Sequence, residues 1–138
     1  MYRSFGTILL IMERQMKTAV IVLSDPRNGD EALGRVFNAL AVAYDLKQRQ
    51  QHVELLFQGA GTRWAAQLTS ADHPVHGLYK AVEDTVTGAS AACADFFGAR
   101  SDAERNGFDL VSENLVPGTS GLPSLARLAV EGYTVLTF

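Results

Sequence analysis

Residues 18–26 read TAVIVLSDP, and this stretch decides the fold. A continuous apolar run that is rich in β-branched residues is typical of a strand covered on both faces, as in a parallel sheet. The run ends at Ser24, Asp25 and Pro26, which together are a turn signal. The stretch therefore predicts one strand of a parallel sheet and, directly after it, a turn.

A helix is predicted after this turn. Asp30 can cap it, and apolar residues recur at helical spacing until the polar residues 47–51. The apolar positions are Leu33, Val36, Phe37, Leu40, Ala41 and Tyr44. A second apolar run at residues 53–57 ends at the glycine-containing residues 58–61. The order strand, helix, strand predicts a right-handed βαβ unit.

The same alternation continues to the end of the chain. Further strands are predicted at residues 85–89, 108–111 and 133–138, and further helices at 64–68, 74–82, 93–97 and 124–130. This alternation predicts the α/β class: a three-layer α/β/α sandwich with a mainly parallel five-stranded sheet. We expect residues 16–138 to form a single domain. Residues 1–15 are interpreted as an N-terminal extension. It is expected to be disordered, the product of an upstream start, or an extra strand or helix that packs on the domain.

The composition excludes several classes of partner. The chain carries 12 basic and 15 acidic residues, a net charge of −3, so it lacks the basic field that nucleic acid requires. The apolar run at residues 7–12 is far shorter than the roughly 18 residues of a membrane span. We expect a cytoplasmic protein that binds neither nucleic acid nor membrane. One cysteine and three histidines with irregular spacing predict no metal site, and no cofactor is expected.

Cys93, the only cysteine, is the best candidate for a catalytic residue. It follows the predicted third strand at the start of a short helix, where unpaired N–H groups favour a thiolate, the nucleophilic form of the side chain. Arg100 or Arg105 could stabilise that thiolate. The alternative is that Cys93 is a small buried hydrophobic residue without chemistry.

A ligand-binding site is predicted where the loops after the strands converge, because ligands of parallel sheets bind at the carboxyl ends of the strands. The candidate binding residues are Ser24, Asp25, Asn28, Gly59 and Gly61. Backbone amides at helix starts commonly bind small anions there. Ordinary turn chemistry at Asp25 and a tight strand-to-helix turn at the glycines explain the same residues without a ligand.

The ordered set of these segments resembles the DsrE-like sulfur-relay family. The resemblance is carried by residues 22–26, the helix from Asp30, residues 53–61, the Cys93 segment and residues 135–138. It implies a parallel-sheet α/β/α fold, a homo-oligomer, and a cysteine that carries persulfide sulfur between donor and acceptor proteins.

Cys93 stands at the position of that cysteine. Members of the family often have a second cysteine shortly before it, whereas this chain has Ser90 and Ala92 there, so a dithiol mechanism is excluded. Two functions remain open: a sulfur carrier that uses Cys93, and a non-catalytic module. The module would bind a small anion or nucleotide-like ligand, or act in oligomeric assembly, with Cys93 as a pocket wall.

Overall fold

The computed structural model describes residues 16–138, and the expectations about residues 1–15 lie outside the described residues. The described chain forms one five-stranded sheet in which all neighbouring strands are parallel. The strands are β1, Lys17–Val22; β2, His52–Phe57; β3, Val86–Ser90; β4, Leu110–Val111; and β5, Thr134–Thr137. Their order across the sheet is β4-β3-β2-β1-β5. The predicted α/β class and five-stranded parallel sheet are confirmed.

The α-helices of the described residues lie on both faces of this sheet, which confirms the predicted three-layer sandwich. They are α1, Gly29–Gln48; α2, Trp64–Leu68; α3, His76–Val82; α4, Ala91–Phe96; α5, Arg100–Arg105; and α6, Leu125–Val130. Short 3-10 turns occupy Pro26–Asn28, Gly59–Arg63 and Glu83–Thr85. Within residues 16–138, none of the helices has both the length and the apolar character needed to cross a bilayer.

The strand predicted from TAVIVL is confirmed as β1, which lies inside the sheet between β2 and β5. Each residue of β1 from Thr18 onward is at most 4% exposed. The register places Val20 beside Leu55 of β2 and beside Leu136 of β5. Both neighbours of β1 are strands and both of its faces are covered. Every position from Thr18 onward is therefore buried, and the sequence there shows no polar alternation.

Alternate strand residues point to two faces, which we call the broad face and the narrow face. Val20 and Leu55 point to the broad face, where α1, α2, α3 and α5 bury one large apolar core. Ala19 and Ile21 point to the narrow face, where the smaller core is completed by Leu56 and by Leu128 of α6. The helices contribute these residues to the broad-face core: Ala32, Val36, Ala39, Leu40, Ala43, Trp64, Ala65, Leu68, Tyr79, Val82 and Ala103.

The helix predicted after β1 is present, but two details of its prediction are wrong. Asn28 holds the N-cap position of α1 and Asp30 lies inside its first turn, so Asp30 is not the cap. The helix face that packs on the sheet also differs from the predicted one. Phe37, which was predicted to pack there, is 51% exposed, whereas Ala39 and Ala43 are fully buried. Small alanines allow a long helix to lie close to the sheet, which a count of large apolar residues does not reveal.

The starts of β4 and α3 also differ from the prediction, and one helix was not predicted. β4 begins at Leu110, and Phe108 instead packs into the broad-face core. α3 begins at His76, two residues after Pro74, where the helix was expected to begin. Helix α5 was not predicted, because Ala103 is its only buried residue and its sequence therefore has no apolar period.

Candidate functional site

The loops after β1, β2, β3 and β4 converge along the edge of the sheet at which these parallel strands end, which we call the carboxyl edge. Arg63 in the loop after β2 donates from Nη1 to Asp25 Oδ2 in the loop after β1, at 2.7 Å. The amide of Ala92, after β3, donates to the carbonyl of Gly121 at 2.8 Å. The structure thus brings together the loops in which the sequence places its candidate residues.

Cys93 lies at this edge, in the first turn of α4. The helix begins there because Ser90, the last residue of β3, is its N-cap. The Ser90 hydroxyl oxygen accepts from the Cys93 amide at 3.2 Å and is itself fully buried. A capped amide fixes the backbone at the cysteine. Cys93 is a free thiol of intermediate exposure, so it is neither sealed in a core nor fully in solvent.

Small residues allow Cys93 to lie this close to the other loops. Its neighbours Ala91, Ala92 and Ala94 are buried, and α4 packs against the Gly59–Arg63 turn. The six-residue helix supplies the positive end of a short peptide dipole to its first turn. Cys93 is thus a partly exposed residue between buried alanines.

Arg100 and Arg105 are both paired with carboxylates, so neither is a free cation beside the thiol. Arg100 Nε donates to Asp95 Oδ1 at 2.5 Å, and the Ser120 hydroxyl donates to Asp95 Oδ2 at 2.5 Å. These two hydrogen bonds, that from Arg100 first, lower the pKa of Asp95 to about 2. Arg105 pairs with Asp102 at 2.7 Å. The expectation that one of these arginines stabilises a thiolate receives no support from this geometry.

A cavity of about 390 Å³ lies at the other side of the carboxyl edge, between α1 and the ends of β1 and β5. Ser24 and Asn28 line it, together with Glu31, Arg35 and Phe138. Glu31 and Arg35 are ion-paired at 2.7 Å. The structure thus brings two of the predicted ligand-binding residues to one concave surface, at a distance of two strands from the cysteine-bearing loop after β3.

Two buried polar atoms near the strand ends have no hydrogen-bond partner among the described residues. They are the hydroxyl oxygen of Ser24 and the side-chain carbonyl oxygen of Gln58. Gln58 directly follows β2 and is 7% exposed. A buried polar atom without a partner costs about 1–3 kcal/mol, so each of these atoms needs an explanation such as a bound water, ion or ligand.

Asp25 has a different role from Ser24 and Asn28. One of its carboxylate oxygens accepts from the Arg27 amide at 3.0 Å and caps the 3-10 turn, and the other binds Arg63. Both oxygens are therefore engaged within the protein, and Asp25 does not line the cavity. This geometry agrees with the interpretation of Asp25 as a residue that stabilises the turn.

Gly59 and Gly61 likewise lie against the end of β1 rather than in the cavity. Gly59 adopts a φ of 57°, which favours glycine. A Cβ atom at Gly61 would lie 2.2 Å from the carbonyl oxygen of Val22, so only glycine allows the two backbones to approach this closely. The predicted role of both glycines in ligand binding remains a prediction, and packing explains their presence here.

The comparisons with known proteins agree with this architecture. A family model described as the DsrE/DsrF-like family matches residues 16–138. The chain belongs to the DsrE/DsrF-like family. The resemblance predicted from the sequence is confirmed, and the family is one of the sulfur-relay type.

This DsrE/DsrF-like chain is also similar to one curated relative and to one solved structure. The chain is 25% identical over 87 residues to the Uncharacterized protein MJ0733 of Methanocaldococcus jannaschii. The aligned segment covers 63% of this chain and 71% of the relative. The crystal structure of the YchN protein from E. coli matches 89% of this chain and 100% of its own, with a TM-score of 0.51 and 21% identity. The latter likeness shows a shared fold.

Arg63, which no sequence pattern singled out, connects three loops at the carboxyl edge. Besides its ion pair with Asp25, its guanidinium lies 5.3 Å from the ring centroid of Phe97 and donates to the Phe97 carbonyl at 3.2 Å. The partners lie 38 and 34 residues away in the chain. No local pattern reveals such contacts, so only the convergence of the loops could have suggested them.

Proposed function

We propose that the protein is a sulfur carrier that holds sulfane sulfur as a persulfide on Cys93. One observation carries the proposal: a DsrE/DsrF-like chain has its single cysteine partly exposed in the first turn of the helix after β3. That position meets two requirements of a carrier. The residue is partly exposed, as a carrier must be to meet another molecule, and its backbone is fixed by the Ser90 cap.

The transfer consists of two displacements at sulfur. The Cys93 thiolate attacks the outer sulfur of a donor persulfide, the S–S bond of the donor breaks, and the donor leaves as a thiolate that takes up a proton from water. An acceptor thiolate then attacks the outer sulfur of the Cys93 persulfide and releases the Cys93 thiolate. Each step exchanges one S–S bond for another, so no external oxidant or reductant is needed.

A single cysteine has a direct consequence for this chemistry. Since the chain contains no second thiol, the persulfide cannot collapse into an intramolecular disulfide with release of sulfide. The sulfur therefore stays on Cys93 until another molecule removes it. This property distinguishes a carrier from a dithiol oxidoreductase.

The experiment loads the full chain with a sulfane-sulfur donor and measures the intact mass. We expect an increase of about 32 Da, the mass of one sulfur atom, that dithiothreitol removes. A sulfinic acid adds nearly the same mass but resists dithiothreitol, so reversal identifies the persulfide. The Cys93→Ser variant, checked for folding by circular dichroism, is the control. No adduct on the wild-type chain, or an equal adduct on the variant, contradicts the proposal.

A second candidate function is the binding of a small anionic or nucleotide-like ligand in the cavity beside α1. The cavity of about 390 Å³ and the unpartnered Ser24 hydroxyl favour it. The Asn28 side chain makes no capping hydrogen bond to the first turn of α1, so the amides there have no side-chain cap. Cys93 does not line this cavity, so the binding function would be independent of the thiol.

Thermal shift with a panel of phosphate-bearing and acidic metabolites tests this second function. A ligand at one hundred times its dissociation constant stabilises the folded state by about 2.7 kcal/mol, which raises the melting temperature by several degrees. We expect Arg35→Gln to weaken the shift and Arg49→Gln, an exposed arginine near the far end of α1, to leave it unchanged. No stabilising compound in the panel argues against the binding function.

A further inference from the structure

The cavity beside α1 lies where the order of the strands reverses. The chain builds outward from β1 through β2 and β3 to β4, and then returns to place β5 on the other side of β1. The connecting helices follow this reversal, since α1 packs on the broad face and α6 on the narrow face. In open parallel sheets, ligands bind in the crevice that such a switch point leaves at the carboxyl ends of the strands. The position of the cavity therefore indicates a binding site, whatever its lining.

The strand ends that line this cavity are held in place by contacts within the protein. The Leu23 amide donates to the Phe138 carbonyl at 2.8 Å, which joins the end of β1 to the end of β5. The Ser24 carbonyl accepts from Nε1 of Trp64 at 2.9 Å, and Trp64 is only 2% exposed. A site that is already ordered loses little freedom when it binds a ligand. The Ser24 hydroxyl oxygen, which has no partner among the described residues, is the unsatisfied polar group of this lining.

The helical side of the cavity carries one charge of each sign. Glu31 and Arg35 line it from α1, and Arg35 Nη2 donates to Glu31 Oε1 at 2.7 Å. Within residues 16–138 this contact engages only one oxygen of the carboxylate and one nitrogen of the guanidinium. Both side chains are more than half exposed, and such a surface pair contributes only about 0–1 kcal/mol. A ligand can therefore bind to the remaining atoms of the pair, or open it, at little cost.

The mixed charge of the lining decides which class of ligand gains most. Two unit charges 4 Å apart in water interact by about 1 kcal/mol, so repulsion from Glu31 offsets the attraction of an anion to Arg35. A cation meets the opposite difficulty. A zwitterion places its negative group at the guanidinium and its positive group at the carboxylate, and both contacts are charge-assisted hydrogen bonds. The pair therefore favours a ligand with both charges over a free phosphate or a simple carboxylate.

We propose that the cavity binds a free α-amino acid with an apolar side chain. Its carboxylate binds Arg35 and its ammonium group binds Glu31, while the Ser24 hydroxyl supplies a further hydrogen bond. A single carbon joins the two charged groups of an α-amino acid, which suits protein charges that are already 2.7 Å apart. The apolar side chain lies against Leu23, which is 47% exposed, and Phe138.

This proposal rests on the second candidate function, since it requires that the cavity is a binding site. It narrows the ligand from small anions and nucleotides to one class of zwitterion. It is independent of sulfur transfer, because Cys93 does not line the cavity.

Chemical-shift titration of the full chain, which measures millimolar dissociation constants, tests the ligand class. Leucine, valine and phenylalanine are the probes, and the tightest of them is compared with its amide and with its deaminated acid. The amide lacks the negative charge and the deaminated acid lacks the positive one. We expect either loss to weaken binding by at least about tenfold. A deaminated acid that binds as tightly as the amino acid overturns the proposal, as does a dissociation constant above about 10 mM for all three amino acids.

Inorganic phosphate and adenosine monophosphate separate this proposal from the function on which it rests. We expect both to bind more weakly than the best amino acid. If one of them binds and Arg35→Gln weakens it while no amino acid binds, the second candidate function stands and the present proposal is overturned. If no compound binds, both are overturned. Cys93→Ser should bind the amino acid as the wild type does, and a tenfold loss in this variant would also overturn the proposal.

A crossed experiment with Glu31→Gln assigns the two charges. We expect this variant to weaken the amino acid by at least about tenfold and not to weaken the deaminated acid, because the repulsion from Glu31 is removed as well. Damage to the cavity would instead weaken both ligands. Asp45→Asn is the matched control, since Asp45 pairs with Arg49 at 3.0 Å with the same spacing near the far end of α1. Equal losses for both ligands in Glu31→Gln, or the same loss in Asp45→Asn, overturn the proposal.

Discussion

The broad face of the sheet is covered by four helices, whereas the narrow face is covered in the described chain by α6 and by a group of polar side chains. The broad core is apolar throughout. On the narrow face the Glu54 carboxylate, whose side chain is 15% exposed, lies on the inner strand β2. The Tyr133 hydroxyl donates to Glu54 at 2.5 Å, and the Arg127 guanidinium lies 3.8 Å from it.

This difference separates two sources of stability in one sheet. Close packing of apolar side chains dominates the broad face. The contribution of this face to the free energy of unfolding should therefore depend on side-chain size and little on pH. The narrow face combines a small core with a carboxylate network, so its contribution to the free energy of unfolding should depend on pH. The carboxyl edge has Cys93 at one side and the cavity at the other. The strands that end there are packed by side chains on both the broad face and the narrow face.

The largest effect is expected from Leu40→Ala in the broad-face core. Leu40 is fully buried where α1 packs over the sheet, and a twenty-residue helix cannot shift far enough to fill the space left behind. We expect the free energy of unfolding in urea to fall by about 4 kcal/mol. Val130→Ala is the control, because Val130 is 87% exposed and its loss should change stability by less than about 0.5 kcal/mol.

A smaller effect is expected from Leu128→Ala on the narrow face. Leu128 is also fully buried, but α6 has only six residues and can move toward the sheet to reduce the cavity. We expect a loss of about 2 kcal/mol, near the lower limit for this substitution. Equal losses for Leu128→Ala and Leu40→Ala in the same urea titration would show that the two faces do not differ as described.

The smallest effect, and the one that depends on pH, is expected from Tyr133→Phe. Burial raises the pKa of Glu54, but hydrogen bonds from Tyr133 and His52 and the charge of Arg127 outweigh it, and the net pKa is lowered. A lowered folded-state pKa stabilises the fold above the pKa of the unfolded chain, and this stabilisation is lost as pH falls through the folded value.

We therefore expect Tyr133→Phe to cost about 1 kcal/mol at pH 7 and progressively less as pH falls below about 4. Urea titrations at several pH values measure the difference between variant and wild type. A difference that stays constant, or grows toward acid pH, would contradict the role assigned to the Glu54 network.

Much of the fold followed from local sequence signals. The apolar run of β1 and the long helix after it were predicted, because burial on both faces and helical period leave strong patterns. The fold class and the family were predicted as well. The rotation of α1 was predicted wrongly, since Phe37 was taken for a core residue and the small Ala39 and Ala43 were not counted.

The positions of the candidate site residues in the fold followed from the sequence only in part. The structure places Ser24 and Asn28 on one cavity, and Cys93 in the first turn of a helix at the same edge of the sheet. Contacts between distant segments could not be read from the chain. The pair of Asp25 and Arg63 spans 38 residues, and the order of the strands determines which loops meet.

The most direct test of the central proposal is a complete cycle of loading and unloading at Cys93. The full chain is loaded with one sulfane sulfur, freed from the donor, and mixed with an excess of a thiol acceptor while the intact mass is followed. We expect the added mass of about 32 Da to disappear from the protein and to appear as persulfide on the acceptor, with one sulfur per chain. A chain that is never loaded, or whose sulfur is not recovered on the acceptor, would contradict the proposal.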